Sequence, residues 1–395
     1  MSALKELQNY TFVSKYARYL PEKNRRETWK EAVDRVRNMM LKKYEHCNIG
    51  EEINWAYDMM QSKKVLGSQR ALQYGGKPIE KINARMYNCV SSYCDRLRFF
   101  QECFWLLLCG SGTGFSVQKH HIAKLPSMVC RLKTVDRPKK VFTPEDTIEG
   151  WADCLGVLMS SYFEEQPEDR FLDYHDCEVV FNFKNIRPEG SYLSSGVGKA
   201  PGPEPLKRAL DKIRIILENK YLGWNAYMAA PRLTSVEAYD IVMHSSDAVL
   251  SGGVRRSSTI CVFSPDDEEM AKAKTGDWRK TNPQRARSNN SAILLRDKTT
   301  YDEFTALMQN VKEYGEPGFI WVDHIDFLMN PCLTKDSIIT TTDGLRTIED
   351  NINNKITRQL ECLVDGVKYY SPGFWKTGTK PIYEITLNSG RTLKA

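Results

Sequence analysis

The strongest constraint on the fold is a change of pattern at one residue, Cys332, within "FLMNPCLTKDSIITTTDGLRTIED" (327–350). Before it, strand-like runs alternate with helical ones. "ARMYNCVSSY", "CEVVFNF", "SNNSAILL" and "GFIWV" read as strands, and "SGGVRRSSTICVF" as a glycine turn into a strand. "FFQECFWLLLCG", residues 145–165, "LKRALDKIRIILENK", "SVEAYDIVMHSSDAVL" and residues 301–314 read as helices. This alternation argues for a parallel α/β sheet or barrel. After Cys332 the helical patterns stop, and "SIITTTDG", "QLECLVDGVKYYS", "FWKTGTK" and "PIYEITLNSGRTLKA" are short β runs with DG, TG and SG turns. No spacer separates the two parts, which is unusual for an ordinary fusion. The first 70 residues carry charged helical patterns such as "ETWKEAVDRVRNMMLKKYEH" and "EEINWAYDMMQSK". The expected organisation is a helical region over 1–75, an α/β body over 76–331 and an all-β unit over 332–395.

The 56 basic residues outnumber the 50 acidic ones by 6, an excess that suits anionic small molecules without singling out nucleic acid. The longest apolar run, "CFWLLLCG", is far too short to span a membrane. The start, "MSALKELQNYTF", lacks the apolar core of a secretion signal, so a cytoplasmic location is expected, with no membrane partner. The 11 cysteines are odd in number and irregularly spaced, with no CxxC pair and no Cys/His cluster at zinc spacing, so no metal ligand is assigned. Cys103, Cys109 and Cys154 stand in apolar stretches and read as buried thiols.

Four stretches invite a chemical reading. "GSGTGFS" (110–116) lacks the Lys-Ser/Thr ending of a phosphate loop and follows a helix, so its glycines read as a helix end that permits close packing. In "SGGVRRSS" (251–258), Gly252 and Gly253 permit an exposed turn, and Arg255 and Arg256 suit phosphate or carboxylate, with Ser257 following; a solvated turn is the even alternative. "KNIRPEGSYLSSGVGKAPGP", which holds Arg187 and Lys199, is a ligand loop or a long flexible one. Cys89 sits in a strand-like run and by itself reads as a core thiol. Thr143, followed by acids, is the expected cap of the helix near 145.

Taken in order, "YARYLPEKNRRETW", "NCV", "GSGTGFSV", "NIRPEG", "GKAPGPEPL", "GGVRRSS", "ARSNNSA", "GEPGF" and "NPC" span residues 16–332. This series resembles the first half of the adenosylcobalamin-dependent (class II) ribonucleotide reductases, especially the monomeric ribonucleoside-triphosphate type. The resemblance implies a ten-stranded α/β barrel of two five-stranded halves, with a central finger loop carrying a radical cysteine. It implies adenosylcobalamin as the source of a cysteine thiyl, which takes hydrogen from the ribose 3′ carbon. It further implies a ribonucleoside triphosphate substrate, a deoxynucleotide effector and a thioredoxin-like reductant. Cys89 matches the first of two reducing cysteines that become a disulfide. Asn330 matches the asparagine that bonds the ribose region. Gly252, Gly253, Arg255, Arg256 and Ser257 match the loop linking effector to substrate choice, and Arg187 and Lys199 fall in the region associated with the effector.

The sequence departs from that family at "NPCLTKDS", where Leu333 and Thr334 stand in place of the glutamate expected two residues after the cysteine. The second reducing cysteine and the second half-barrel are absent as well. From Cys332 onward the chain resembles the first splicing block of inteins, with an "I-x-T" strand and "DG" leading to an isoleucine. "IYEITLNSGRTLKA" resembles the approach to the second block, a Thr-x-x-His, which does not appear before Ala395. Cys332 thus stands as the intein's first nucleophile, at the position of the reductase's radical cysteine. On this reading the chain is a precursor that needs a complementary C-terminal intein and reductase fragment and is inactive alone. Two other readings are a class I reductase large-subunit fragment and a noncatalytic nucleotide-binding half-barrel.

Overall fold

A computed structural model describes residues 3–131, 136–191, 199–225, 227–250 and 258–329, and short strands between 338 and 394. Contacts divide the chain into two compact units, Met1–Pro331 and Cys332–Ala395.

The first unit opens with helices that have a core of their own. Helix α1 (Trp29–Lys43) begins with a capping box, in which the Thr28 hydroxyl accepts from the Glu31 amide and the Glu31 carboxylate accepts from the Thr28 amide. Its Ala32, Val33, Val36 and Met39 form one apolar stripe. The stripe packs with Met60 of α2 (Gly50–Gln61) and with Leu72 and Tyr74. Arg35 holds the buried Glu27 by two bonds, Nε–Oε1 at 2.7 Å and Nη2–Oε2 at 2.8 Å.

The body is a five-stranded sheet, parallel throughout and in chain order: β1 (Cys89–Tyr93), β2 (Gly112–Ser116), β3 (Thr259–Phe263), β4 (Ser288–Leu295) and β5 (Gly318–Val322). Helices α3 (Arg98–Leu108), α4 (Ile148–Tyr162), α5 (Glu204–Asn219), α6 (Ser235–Leu250) and α7 (Tyr301–Tyr314) lie between the strands in sequence. Cys89 pairs with Gly112 and Ser91 with Gly114; Gly114 in turn pairs with Ile260, and Ile260 with Asn289. Residues in register on parallel strands point to the same side, so the two faces separate cleanly. Phe115, Cys261, Phe263, Ala292 and Leu294 face the helices and join Phe99, Phe104, Leu155, Leu158 and Tyr239 in the main core. Each such large side chain removed from water contributes ~1.5–3 kcal/mol. The opposite face carries Cys89, Ser91, Gly114, Asn289 and Ser291. Its apolar part is a small cluster of Val262, Ile293 and Val322.

Three expectations are corrected. "GSGTGFS" is more than a helix end: Gly110 turns the chain at φ +89°, but Gly112–Ser116 forms a buried strand of the sheet. The cap of α4 is Thr147, whose hydroxyl accepts from the Gly150 amide, rather than Thr143. The strand Glu178–Phe181 lies outside the main sheet, pairing in parallel with Lys139–Phe142 alone.

In the second unit the strand Ile338–Thr341 lies between Gly344–Thr347 and Leu360–Val364, and Val367–Ser371 completes an antiparallel sheet. Glu384–Thr386 pairs antiparallel with Thr392–Lys394. Cys332 lies outside the described residues.

Candidate active site

Beyond Val322 the chain turns back across the face of the sheet that the helices leave uncovered. Its course is fixed by three polar contacts at the end of the β1–β2 pair. The Tyr93 hydroxyl donates to the Asp326 carbonyl at 2.8 Å, and the Gln118 amide donates to the Ile325 carbonyl at 3.0 Å. His120 Nε2 meets the Asp326 carboxylate at 2.9 Å. Leu328 then packs on the cluster of Val262, Ile293 and Val322.

The segment finishes directly over β2. A Cβ placed on Gly114 would stand 2.0 Å from the Met329 carbonyl oxygen and 3.7 Å from Ser91 Cβ. Glycine is required here because a backbone occupies the place of a side chain. Cys89, two residues before Ser91 on the same strand and face, is half-buried beside this crossing. In the sequence Met329 is followed by Asn330, Pro331 and Cys332. Asn330 and Cys332 lie outside the described residues, as do Gly252, Gly253, Arg255, Arg256 and Ser257.

Cys94, Cys103, Cys154 and Cys261 of the body are buried. Burial pushes the Cys103 thiol up to about 12, and those of Cys94 and Cys261 well above the ordinary value. Cys154 is raised for the same reason. Such thiols stay protonated and inert.

Arg187 and Lys199 come together in a second place, a cavity of ≈ 470 Å³ whose wall also includes Lys77, Lys81 and Arg85. Asp146 and Thr147, at the N-terminal end of α4, line the same cavity, and the Asp146 carboxylate holds Arg187 Nε at 2.5 Å. Five cations and two carboxylates, Asp146 and Glu149, thus line a cavity at the positive end of a 15-residue helix, a setting that suits an anionic group. Ala248 and Val249 of α6 form part of the wall, so the helix leading in sequence to Gly252 borders the cavity. Lys77, Lys81 and Arg85 were not singled out by the sequence, where they form an ordinary charged stretch. Nor was Gly114, whose reason lies 215 residues further along the chain at Met329 (329 − 114).

No family model matches the chain. The fold is similar to that of a B-12 dependent (class II) ribonucleotide reductase crystal structure, with a TM-score of 0.64 over 87% of this chain and 52% of that one, at 23% identity. Among curated proteins the chain is similar to the adenosylcobalamin-dependent ribonucleoside-triphosphate reductase of Lactobacillus delbrueckii subsp. bulgaricus, 27% identical over 374 residues, with 79% of this chain and 48% of that protein covered. The reductase of the same description from Lactobacillus helveticus is 26% identical, with 80% of this chain and 49% of that protein covered. A probable adenosylcobalamin-dependent ribonucleoside-triphosphate reductase of Dictyostelium discoideum is 28% identical over 189 residues, covering 47% of this chain and 22% of that protein. The chain spans about half the length of the Lactobacillus reductases. Among the described residues, no helix is long and apolar enough to cross a membrane.

Proposed function

We propose that Met1–Pro331 is the N-terminal part of an adenosylcobalamin-dependent ribonucleoside-triphosphate reductase, and that Cys332–Ala395 is the N-terminal part of an intein interrupting it. The observation that carries the reading is the crossing of residues 323–329 over β2, which ends at Gly114 beside the strand of Cys89. A second five-stranded half would close the parallel sheet into a ten-stranded barrel around that crossing. Cys89 would then supply one of the two thiols that reduce the ribose. Replacing the 2′ C–OH by C–H with loss of water takes two electrons and two protons. Two thiols supply both and leave a disulfide, which a thioredoxin-like dithiol reopens.

In this reading adenosylcobalamin supplies the carbon-centred radical that starts the reaction. The cavity lined by Arg187 and Lys199 is too small and too cationic for a corrin, so no described residue is assigned to hold that cofactor. The cavity suits the triphosphate of a deoxynucleotide effector instead, being of the size usual for small-molecule sites. Asn330 would hold the ribose, and the loop of Gly252, Gly253, Arg255, Arg256 and Ser257 would link effector to substrate choice. The class I alternative needs a separate radical-generating partner, and the similarity to class II proteins favours the cobalamin reading.

The test is reconstitution. Joined to a fragment completing the barrel, residues 1–331 should form deoxynucleotides from ribonucleoside triphosphates only when adenosylcobalamin and a dithiol are present. Turnover without the cobalamin would overturn the class II assignment. Failure of the folded, reassembled protein to turn over would leave the noncatalytic half-barrel as the better account.

A further inference from the structure

Two of the chain's 6 histidines, His120 and His121, meet Asp326 at the foot of the crossing segment, with His324 close by. His120 Nε2 lies 2.9 Å and His121 Nε2 3.4 Å from the same carboxylate oxygen, Asp326 Oδ1. Atoms spaced in this way can surround one ion at bonds of about 2 Å, the length zinc makes to imidazole nitrogen and carboxylate oxygen. The rest of the environment is that of a ligand set. The His121 side chain is 2% exposed, and its other nitrogen, Nδ1, meets Ser116 Oγ at 2.9 Å. That contact is the outer partner a metal-bound imidazole commonly has. Ser116 is held by the Gln118 side chain, which also donates to the Ile325 carbonyl, so the outer partner and the crossing segment are braced together. His120 and Asp326 are 34% and 37% exposed, which leaves an open side where water can complete the coordination.

We propose that His120, His121 and Asp326 bind one divalent transition-metal ion of the zinc type, which clasps residues 323–329 to the end of β2. Two imidazoles and a single carboxylate suit zinc, cobalt or nickel rather than magnesium or calcium, which take mostly oxygen ligands. His324 is a neighbour rather than a ligand: its Nδ1 accepts the Asp326 amide at 3.1 Å and stands 3.9 Å from Oδ2. The clasp is independent of the reductase reading, because it needs only the first unit folded.

The experiment uses the full chain stripped with a chelator and titrated with Co²⁺ and then Zn²⁺, followed by histidine-directed acylation mapped by peptide mass. One bound Co²⁺ with visible bands lacking thiolate charge transfer is expected, displaced by Zn²⁺. The ion should protect His120 from acylation and leave the exposed His46 as reactive as before. His120→Ala and Asp326→Asn should each weaken binding by more than about tenfold, and Ser116→Ala by about 10–100-fold, the range for lost outer partners. His175→Ala should have no effect. Far-UV circular dichroism identifies any variant that has not folded, and the protection experiment on the unaltered chain then decides alone. Absence of protection at His120 at saturating metal would overturn the site. So would unchanged affinity in the folded His120→Ala chain.

Discussion

The carbonyl oxygen of Met329 lies 2.0 Å from the place a β-carbon on Gly114 would take, so the backbone of one loop residue excludes any side chain at one strand residue. Because the obstacle is backbone, it cannot swing aside as a flexible side chain would. Gly114→Ala should therefore push residues 323–329 off the sheet, at a cost of about 1–3 kcal/mol by the usual scale of overpacking. The expected readout is a lower denaturation midpoint together with faster proteolysis after residue 323. A Gly114→Ala chain with unchanged stability and cleavage would show that the crossing is not fixed there.

The turn leading into β4 is tied to α6 by a fork. Arg285 Nε donates to Asp240 Oδ1 at 2.9 Å and its Nη2 to Oδ2 at 2.6 Å, with the side chains only 14% and 12% exposed. Removing one partner leaves a buried charge alone, so Asp240→Ala should cost about 3–5 kcal/mol. Asp240→Asn, which keeps an acceptor for Arg285, should cost less. Urea midpoints measure both, and equal losses would argue that packing rather than charge decides.

His244 on α6 sets a pH dependence. Burial, the largest cause, lowers its pKa below the ordinary 6.5, with Asp240 and Asp247 opposing and Lys212 and Arg285 assisting. A histidine kept neutral in the folded state takes up its proton on unfolding. Its contribution to stability is therefore intact above about pH 6.5 and declines as pH falls from there toward the lower folded value. The unfolding midpoint of the unaltered chain should drop between pH 7.5 and 5.5 (conditions of about these values). His244→Gln should drop less; an equal drop would assign the effect elsewhere.

The readable part of this chain was what repeats locally. Gly318–Val322 is a β-branched and aromatic run, Ser288–Leu295 closes on the apolar residues Ala292–Leu295, and Tyr301–Tyr314 begins at a Thr300–Glu303 capping box and ends at Gly315. The strand Gly112–Ser116 was not readable as a strand, because its composition is that of a turn. It holds its place through both parallel neighbours and through the segment crossing above it. Cys89 could be named only through the resemblance; the fold adds that it stands on the face the crossing segment covers. His120 and Asp326, 206 residues apart, carry no mutual spacing that a sequence could display. Arg187 and Lys199 were readable as a loop and the stretch near 145 as a helix start, whereas their meeting with Lys77, Lys81 and Arg85 around one cavity was not.

Splicing gives a separate prediction. On the intein reading it would begin when the Cys332 thiolate attacks the Pro331 carbonyl, and the proline ring, which fixes the backbone beside that carbonyl, should slow the step. The chain alone should be inert, and mixing with a complementary fragment should yield a ligated product carrying residues 1–331 without 332–395. Intact mass reads the result. Cys332→Ala should abolish ligation and Cys362→Ala should leave it measurable; efficient ligation by the Cys332→Ala chain would sink the intein reading.

The most direct measurement is the redox state of Cys89 after one turnover of the reassembled reductase without external dithiol. One deoxynucleotide should form per enzyme while Cys89 passes from alkylatable thiol to disulfide, as peptide mass would record. Cys89→Ser should then fail to turn over repeatedly when dithiol is supplied. A full equivalent of deoxynucleotide with Cys89 still a thiol would contradict the account.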